Sequence, residues 1–216
     1  MNRRALQALL NSAPLVLFAI VMTALALCSP KFLEVRNLAN ILVQSSSTAI
    51  VAIGMTFVLL TAGVDLSVGA IMFVAAALAG KMMLQGASLA FAVTVMLATG
   101  LMCGAINAFF ISRLRIIPFI MTLAALYLGR GFALWLTETR AMNLPESFLQ
   151  LGAGRLAGVP VPVVILGATV IVAHLVLTRT PFGRKIYAVG HNAEMARKAG
   201  IDTVAIIAAV YVISGF

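Results

Sequence analysis

Apolar runs of about twenty residues recur along the whole chain with only short polar breaks between them, and about twenty apolar residues is what an α-helix needs to cross the hydrocarbon core of a bilayer. The runs lie near residues 13–29, 38–61, 66–84, 88–110, 117–137, 161–178 and 203–216. Inside lipid every backbone amide must find its partner within the protein, so such runs are expected as helices. With 62% hydrophobic and 10% charged residues, the chain is far from an ordinary soluble domain, which is about half apolar and a quarter charged. The expected fold is all-α, a polytopic transmembrane helical bundle of about six complete spans plus a partial seventh. Residues 1–216 are read as one membrane domain. The last run, TVAIIAAVYVISGF, is shorter than a comfortable span, which suggests a longer protein truncated here or a helix completed by another element.

Charge orients the bundle. The net charge is +9, but the basic residues stand singly or in pairs between apolar runs, which suits topology better than nucleic-acid binding. Arg179, Arg184, Lys185, Arg197 and Lys198 share one polar island, TRTPFGRKIYAVGHNAEMARKAGI, beginning at Thr178. If the N-terminus is cytoplasmic, this island falls on the inside with Arg3, Arg4, Arg113 and Arg115. The outside segments are nearly balanced, with Lys31, Arg36, Lys81, Arg140 and Arg155 facing Glu34, Glu138 and Glu146. That bias predicts a cytoplasmic N-terminus, and the charged, then apolar start reads as a signal anchor that serves as the first helix. Cys28 and Cys103 sit apart in apolar runs and read as small apolar filler, so no disulfide or metal site is expected.

Few polar side chains interrupt the apolar runs. Asp65 lies in the turn TAGVDLSVGA between Gly63 and Gly69. A carboxylate between two apolar runs persists when it faces a cavity, pairs with a cation or binds backbone amides. One reading makes Asp65 the N-cap of the next helix, bonded to amides near Ser67 and Val68; the other gives it contact with a transported solute. Arg130, in LGRGF, either snorkels to headgroups or pairs inside the bundle, with Asp65 as a conceivable partner. The polar run Gln44, Ser45, Ser46, Ser47, Thr48 lines a path for a hydroxyl-rich solute or bonds back to its own helix. Asn107 follows Gly100 and Gly104 in GxxxG spacing, which reads as close helix packing with an interhelical hydrogen bond. His174 and His191 have no ligand set or nucleophile beside them. There is no phosphate-binding loop, zinc-protease motif or nucleophile elbow, so no catalytic residue, metal or cofactor is assigned and the chain is not read as an enzyme.

Four stretches fit one pattern: GMTFVLLTAGVDLSVGAIM from Gly54, GAINAFFISRLRIIPFIMTLAALYLGRG from Gly104, the island from Thr178, and the terminal YVISGF. In this combination the chain resembles, over nearly its whole length, the permease subunits of bacterial ribose-type ABC importers, which carry ribose, xylose, galactofuranose, related monosaccharides and autoinducer-2. The resemblance implies about ten spans in a full-length member, which agrees with a truncated chain. It departs from the pattern at Ala62, where a glycine is usual before the turn, and at His191, where a glycine is common. An alanine at the first position stiffens the turn, whereas a solvated loop tolerates the second.

The resemblance also implies that residues 178–202 form a cytoplasmic coupling loop for a separate ATP-binding ABC subunit. Its carriers would be Phe182, Gly183, Arg184, Lys185, Tyr187, Gly190, Asn192, Arg197 and Gly200, with a short helix from Ala193 to Ala199. Gly63, Asp65, Ser67, Gly69, Gln44, Ser46, Asn107 and Arg130 would form a structural turn or line the translocation path. The other implied partners are a periplasmic sugar-binding protein, a second permease copy or paralogue, and membrane lipid, all at the bacterial inner membrane. The alternatives are a permease of the branched-chain amino-acid branch and a non-transporting scaffold or remnant. The sequence does not name the sugar.

Overall fold

The computed structural model describes residues 13–29 and 31–216; the expected basic pair Arg3 and Arg4 lies outside them. In chain order the elements are α1 Ala13–Cys28, α2 Val35–Leu60, α3 Val68–Leu84, α4 Leu89–Ala108 with a π-helical extension Phe109–Arg113, α5 Pro118–Thr137, α6 Glu146–Ala153, β1 Arg155–Leu156, β2 Val159–Pro160, α7 Val161–Arg179, α8 Pro181–His191, α9 Ala193–Lys198 and α10 Thr203–Gly215. Each expected apolar run is therefore a helix. Among the described residues α2, α4 with its extension, α5 and α7 are long and apolar enough to cross a membrane, while α1, α3 and α10 are apolar but shorter.

The chain falls into two units, one up to Ser45 and one from Ser46. The first holds α1, which buries none of its residues, and the start of α2, where the Asn37 Nδ2 donates to the Phe32 carbonyl at 2.8 Å.

In the second unit α3 packs against both α4 and α5, and α10 lies along α4. The α4–α10 crossing is close because small residues meet there. A Cβ on Gly104 would lie 2.7 Å from the Tyr211 carbonyl oxygen, and one on Gly215 would lie 2.8 Å from the Gly104 Cα. The Gly100 and Gly104 spacing thus lets two backbones touch, which is how apolar helices associate when lipid is as apolar as leucine. The largest buried cluster of the described residues adjoins this crossing. It joins Phe57 and Val58 of α2, Ile111 of the π segment, Ile186 and Val189 of α8, Ala196 of α9 and Ile206, Val210 and Tyr211 of α10.

That cluster explains the island, which is a pair of short helices and not an open loop. Thr180 caps α8 by accepting from the Gly183 amide at 3.1 Å, with Pro181 at the first helical position, where its missing N–H costs nothing. Asn192 caps α9 by accepting from the Met195 amide at 3.0 Å. The end of α9 is a Schellman turn: Gly200 has φ +83°, its amide donates to the Arg197 carbonyl and the Ile201 amide to the Ala196 carbonyl, each at 3.0 Å. This needs a left-handed residue after the helix, which glycine supplies without a Cβ penalty. The Asp202 carboxylate then caps α10 through the Ala205 amide at 3.0 Å.

Two connections were not expected. α4 widens into the π turn, Arg115 takes φ +55°, and Pro118 starts α5 anew because proline cannot continue the preceding helix. Between α5 and α7, α6 is followed by a two-residue hairpin that pairs Arg155 with Pro160 and Leu156 with Val159. Its turn residues Ala157 and Gly158 both have positive φ, as the twist of a two-residue hairpin requires.

Candidate functional site

The segment from Thr61 to Ser67 is non-helical backbone between two apolar helices, and its polar groups need partners that the helices cannot provide. Asp65 supplies some of them. It is 3% exposed; Oδ1 accepts from the Ser67 amide at 2.9 Å and from the Ser67 hydroxyl at 2.6 Å, and Oδ2 accepts from the Ser214 hydroxyl of α10 at 3.0 Å. Asn107 of α4 donates through Nδ2 to the Ser67 oxygen at 2.8 Å, so donors run in one direction from Asn107 through Ser67 to the carboxylate. The Tyr211 hydroxyl of α10 donates to the Val64 carbonyl at 3.1 Å. Gly63 is required at this point, since a Cβ there would lie 2.6 Å from that hydroxyl oxygen. Ala62, the position where the resemblance expects glycine, takes φ +59°, a left-handed conformation that costs any residue with a Cβ.

This arrangement corrects two expectations. Asp65 does bond the Ser67 amide, but the N-cap of α3 is Ser67, with no side-chain cap bond of its own. Asp65 instead closes a turn two residues long onto Ser67, the residue whose carbonyl accepts the first hydrogen bond of α3. Nor does Arg130 pair with Asp65: among the described residues the single ion pair is Lys198 with Glu194 at 2.9 Å. Arg130 is exposed on α5, and the carboxylate is already met by three donors.

The other candidates divide. Ser46 is fully buried whereas Gln44 is exposed, as are Ser45, Ser47 and Thr48, so one helix turns the run to different sides. Gly69 has open space where a Cβ would be; nothing in the structure explains a glycine there. Tyr211 and Ser214 were missed. Their signal was a tyrosine and a serine three residues apart in an apolar helix, a polar stripe on one helical face.

The island places its residues on two faces. Gly183, Ile186 and Val189 of α8 are buried, and Phe182 packs against the same cluster. Arg184, Lys185, Tyr187 and Arg197 face outward. Among the described residues neither Arg184, Lys185 nor Arg197 has an ion-pair partner, so a basic surface with one half-exposed aromatic stands free on helices anchored from beneath. Gly190 faces inward. A Cβ there would overlap the carbonyl oxygen of Leu60, the last residue of α2. A cleft of about 520 Å³ opens between α9, the π segment and the buried turn, lined by Gly63, Ser112, Arg115, Glu194, Arg197 and Tyr211 among others. The Asp65 turn and the basic helices are thus neighbours.

Residues 37–216 match the profile of the family described as the branched-chain amino acid transport system / permease component. The chain belongs to this permease family. Among curated relatives it is 34% identical to the ribose import permease protein RbsC of Haemophilus influenzae over 96% of this chain and 66% of the relative. It is 38% identical to RbsC of Escherichia coli K12, over 94% and 64%, and 35% identical to the galactofuranose transporter permease protein YtfT of the same strain, over 93% and 62%. The chain thus spans slightly less than two thirds of the length of these permeases. No solved structure matches it significantly.

Proposed function

We propose that the chain is the membrane-spanning part of a permease subunit of an ATP-binding-cassette importer for a monosaccharide, and that α8 and α9 are the surface on which the ATP-hydrolysing subunit sits. The observation that carries this reading is the two-faced island: an apolar side locked into the largest buried cluster and a basic side on which Arg184, Lys185 and Arg197 have no ion-pair partner among the described residues. A loop whose only role was topological would need positive charge but neither caps nor a buried face. An exposed tyrosine among arginines is the composition of an interface anchor, and unpaired cations suit an acidic partner. The names of the relatives favour a ribose-like sugar over a branched-chain amino acid.

In this reading the island, with the Thr61–Ser67 turn and the π segment beside it, faces the cytoplasm of a bacterial inner-membrane protein whose N-terminus is also inside. Residues 1–216 act as one permease domain of six complete spans and one further helix. ATP is bound and hydrolysed by the separate subunit. Closure of that subunit moves α8 and α9 and swings the helices around a central path. A periplasmic binding protein delivers the sugar, and a second permease copy or paralogue completes the path.

The test is to purify the tagged full-length chain from its native membranes and identify bound ATP-binding-cassette subunits by mass spectrometry. Reversing the outward charge with Arg184→Glu and Lys185→Glu is expected to cut their recovery by about tenfold or more, since lost and repelled charges at a docking face cost several kcal/mol together. Membrane insertion should be unchanged. Undiminished recovery from correctly inserted double variant would remove α8 from the interface.

A further inference from the structure

Three glycines punctuate the island, and the structure separates their roles. Gly183 is confined by the carbonyls of Val176 and Leu177 at the end of the adjoining helix α7, and Gly200 serves the Schellman turn of α9. Both are local. Gly190 alone presses on a distant part of the chain, because a Cβ there would overlap the Leu60 carbonyl oxygen and approach the Thr61 Cα. With no side chain between them, the backbone of α8 rests directly on the end of α2.

The segment after Leu60 is short and begins with three amides bonded back to α2. The Thr61 and Gly63 amides donate to the Val58 carbonyl and the Ala62 amide to the Leu59 carbonyl. The turn is then held from the other side by Tyr211 on the Val64 carbonyl, Ser214 on Asp65 and Asn107 on Ser67. One flank of the turn is the proposed docking helix; the other is α4 and α10. Close-packed interiors deform little and pass displacement on, and a backbone-to-backbone contact lacks the rotatable bonds through which a side chain would absorb it.

We infer that Gly190 and Tyr211 are positioning residues, Gly190 coupling α8 to the Asp65 turn and Tyr211 tying that turn to α10, so that a push on the basic face repositions the turn and the α4–α10 pair bonded to it. This rests on the proposed docking of the ATP-hydrolysing subunit. It also gives the buried carboxylate a use: Asp65 is the knot that makes turn, α4 and α10 move together, and it is too deeply enclosed to touch a solute.

The test uses the full-length chain, purified with its ATP-binding-cassette subunit and placed in liposomes. Cys28→Ser and Cys103→Ser, with any cysteine outside residues 1–216 likewise replaced, remove the other thiols, and Val64→Cys places a reporter on the turn, at a residue that is 36% exposed. The rate at which a polar maleimide labels the reporter is measured with and without ATP and normalised to ATP hydrolysed. ATP is expected to change that rate in the reporter background. Adding Gly190→Ala should shrink the change by about fivefold or more, as loss of an ordinary coupling between two sites would. Tyr211→Phe, which removes one oxygen and leaves the ring packed, should shrink it by a smaller factor and covers the case in which the glycine variant fails to fold. An ATP response of undiminished size in Tyr211→Phe or in folded Gly190→Ala would overturn the coupling, as would a turn that ATP does not affect in the reporter background. Loss of the ATP-binding-cassette subunit on Gly190→Ala would place that glycine in docking and likewise overturn it. Failure of the unaltered chain to retain any such subunit would instead sink the proposed function.

Discussion

The Thr61–Ser67 turn and the Glu138–Pro160 connection both link apolar helices, and both use left-handed backbone at residues other than glycine: Ala62 in the first, Glu138, Thr139 and Ala157 in the second. Their surroundings differ. The turn buries Gly63, Asp65 and Ser67 and takes hydrogen bonds from α4 and α10. The connection is mostly exposed, and side-chain bonds there are local, such as Arg155 to the Gly158 carbonyl at 3.4 Å and Thr139 to its neighbour Glu138 at 2.6 Å. Similar local strain is thus tolerated for two reasons. In the turn, surrounding elements enforce it; in the connection, little else depends on it. Strain held by many partners is the kind found where proteins switch.

The comparison breaks most visibly at the buried carboxylate. Asp65→Ala leaves two hydroxyls and an amide without their acceptor and is expected to cost about 3 kcal/mol, since each buried orphan costs about 1 to 3. Arg155→Ala, at an exposed hairpin bond, should stay within about 0.5 kcal/mol. Equal losses, read from unfolding of the detergent-solubilised chain, would show that the turn is no better tied than the connection.

Glycines sharpen the contrast. Gly63→Ala forces its new methyl against the Tyr211 hydroxyl and should cost about 2 kcal/mol through overpacking and the strained Tyr211 bond. Gly158→Ala meets no atom within 4 Å and should cost about 1 kcal/mol, for its positive φ alone. The reverse order in the same unfolding assay would mean that backbone conformation outweighs packing in this fold.

The smallest effect is a gain. Ala62→Gly relieves a left-handed alanine and should stabilise the chain by up to about 1 kcal/mol. Thr139→Gly should do the same if the cost is purely local, so a gain at Thr139 with none at Ala62 would show that the tertiary partners of the turn already absorb its strain.

Much of the fold is legible in the sequence, for a simple reason. Twenty apolar residues carry their own hydrogen-bond partners as a helix, so α2, α4, α5 and α7 needed no knowledge of their neighbours. The short helix α9 was equally visible, because Asn192 and Gly200 are end signals that act within a few residues. α8 was not, since Gly183 and Gly190 read as breakers; inside a packed helix they are instead what lets it approach other backbone. α6 and the hairpin carry weak periodicity in a mixed segment.

The amino-acid sequence by itself determined that this chain is a bundle of apolar helices with one basic, glycine-punctuated island and a carboxylate, Asp65, in the short break between the second and third runs, because hydropathy, caps and charge act over short separations. Only the tertiary structure decided that Asp65 answers to Ser214 and not to Arg130, that Asn107 reaches Asp65 only through Ser67, and that Gly190 rests on Leu60. Those pairings join residues some forty to a hundred and fifty positions apart, and which of several polar groups meets a buried carboxylate depends on how close two helices can come. Here that distance was set by glycines at the crossing of α4 and α10, where bare backbone lets the helices touch.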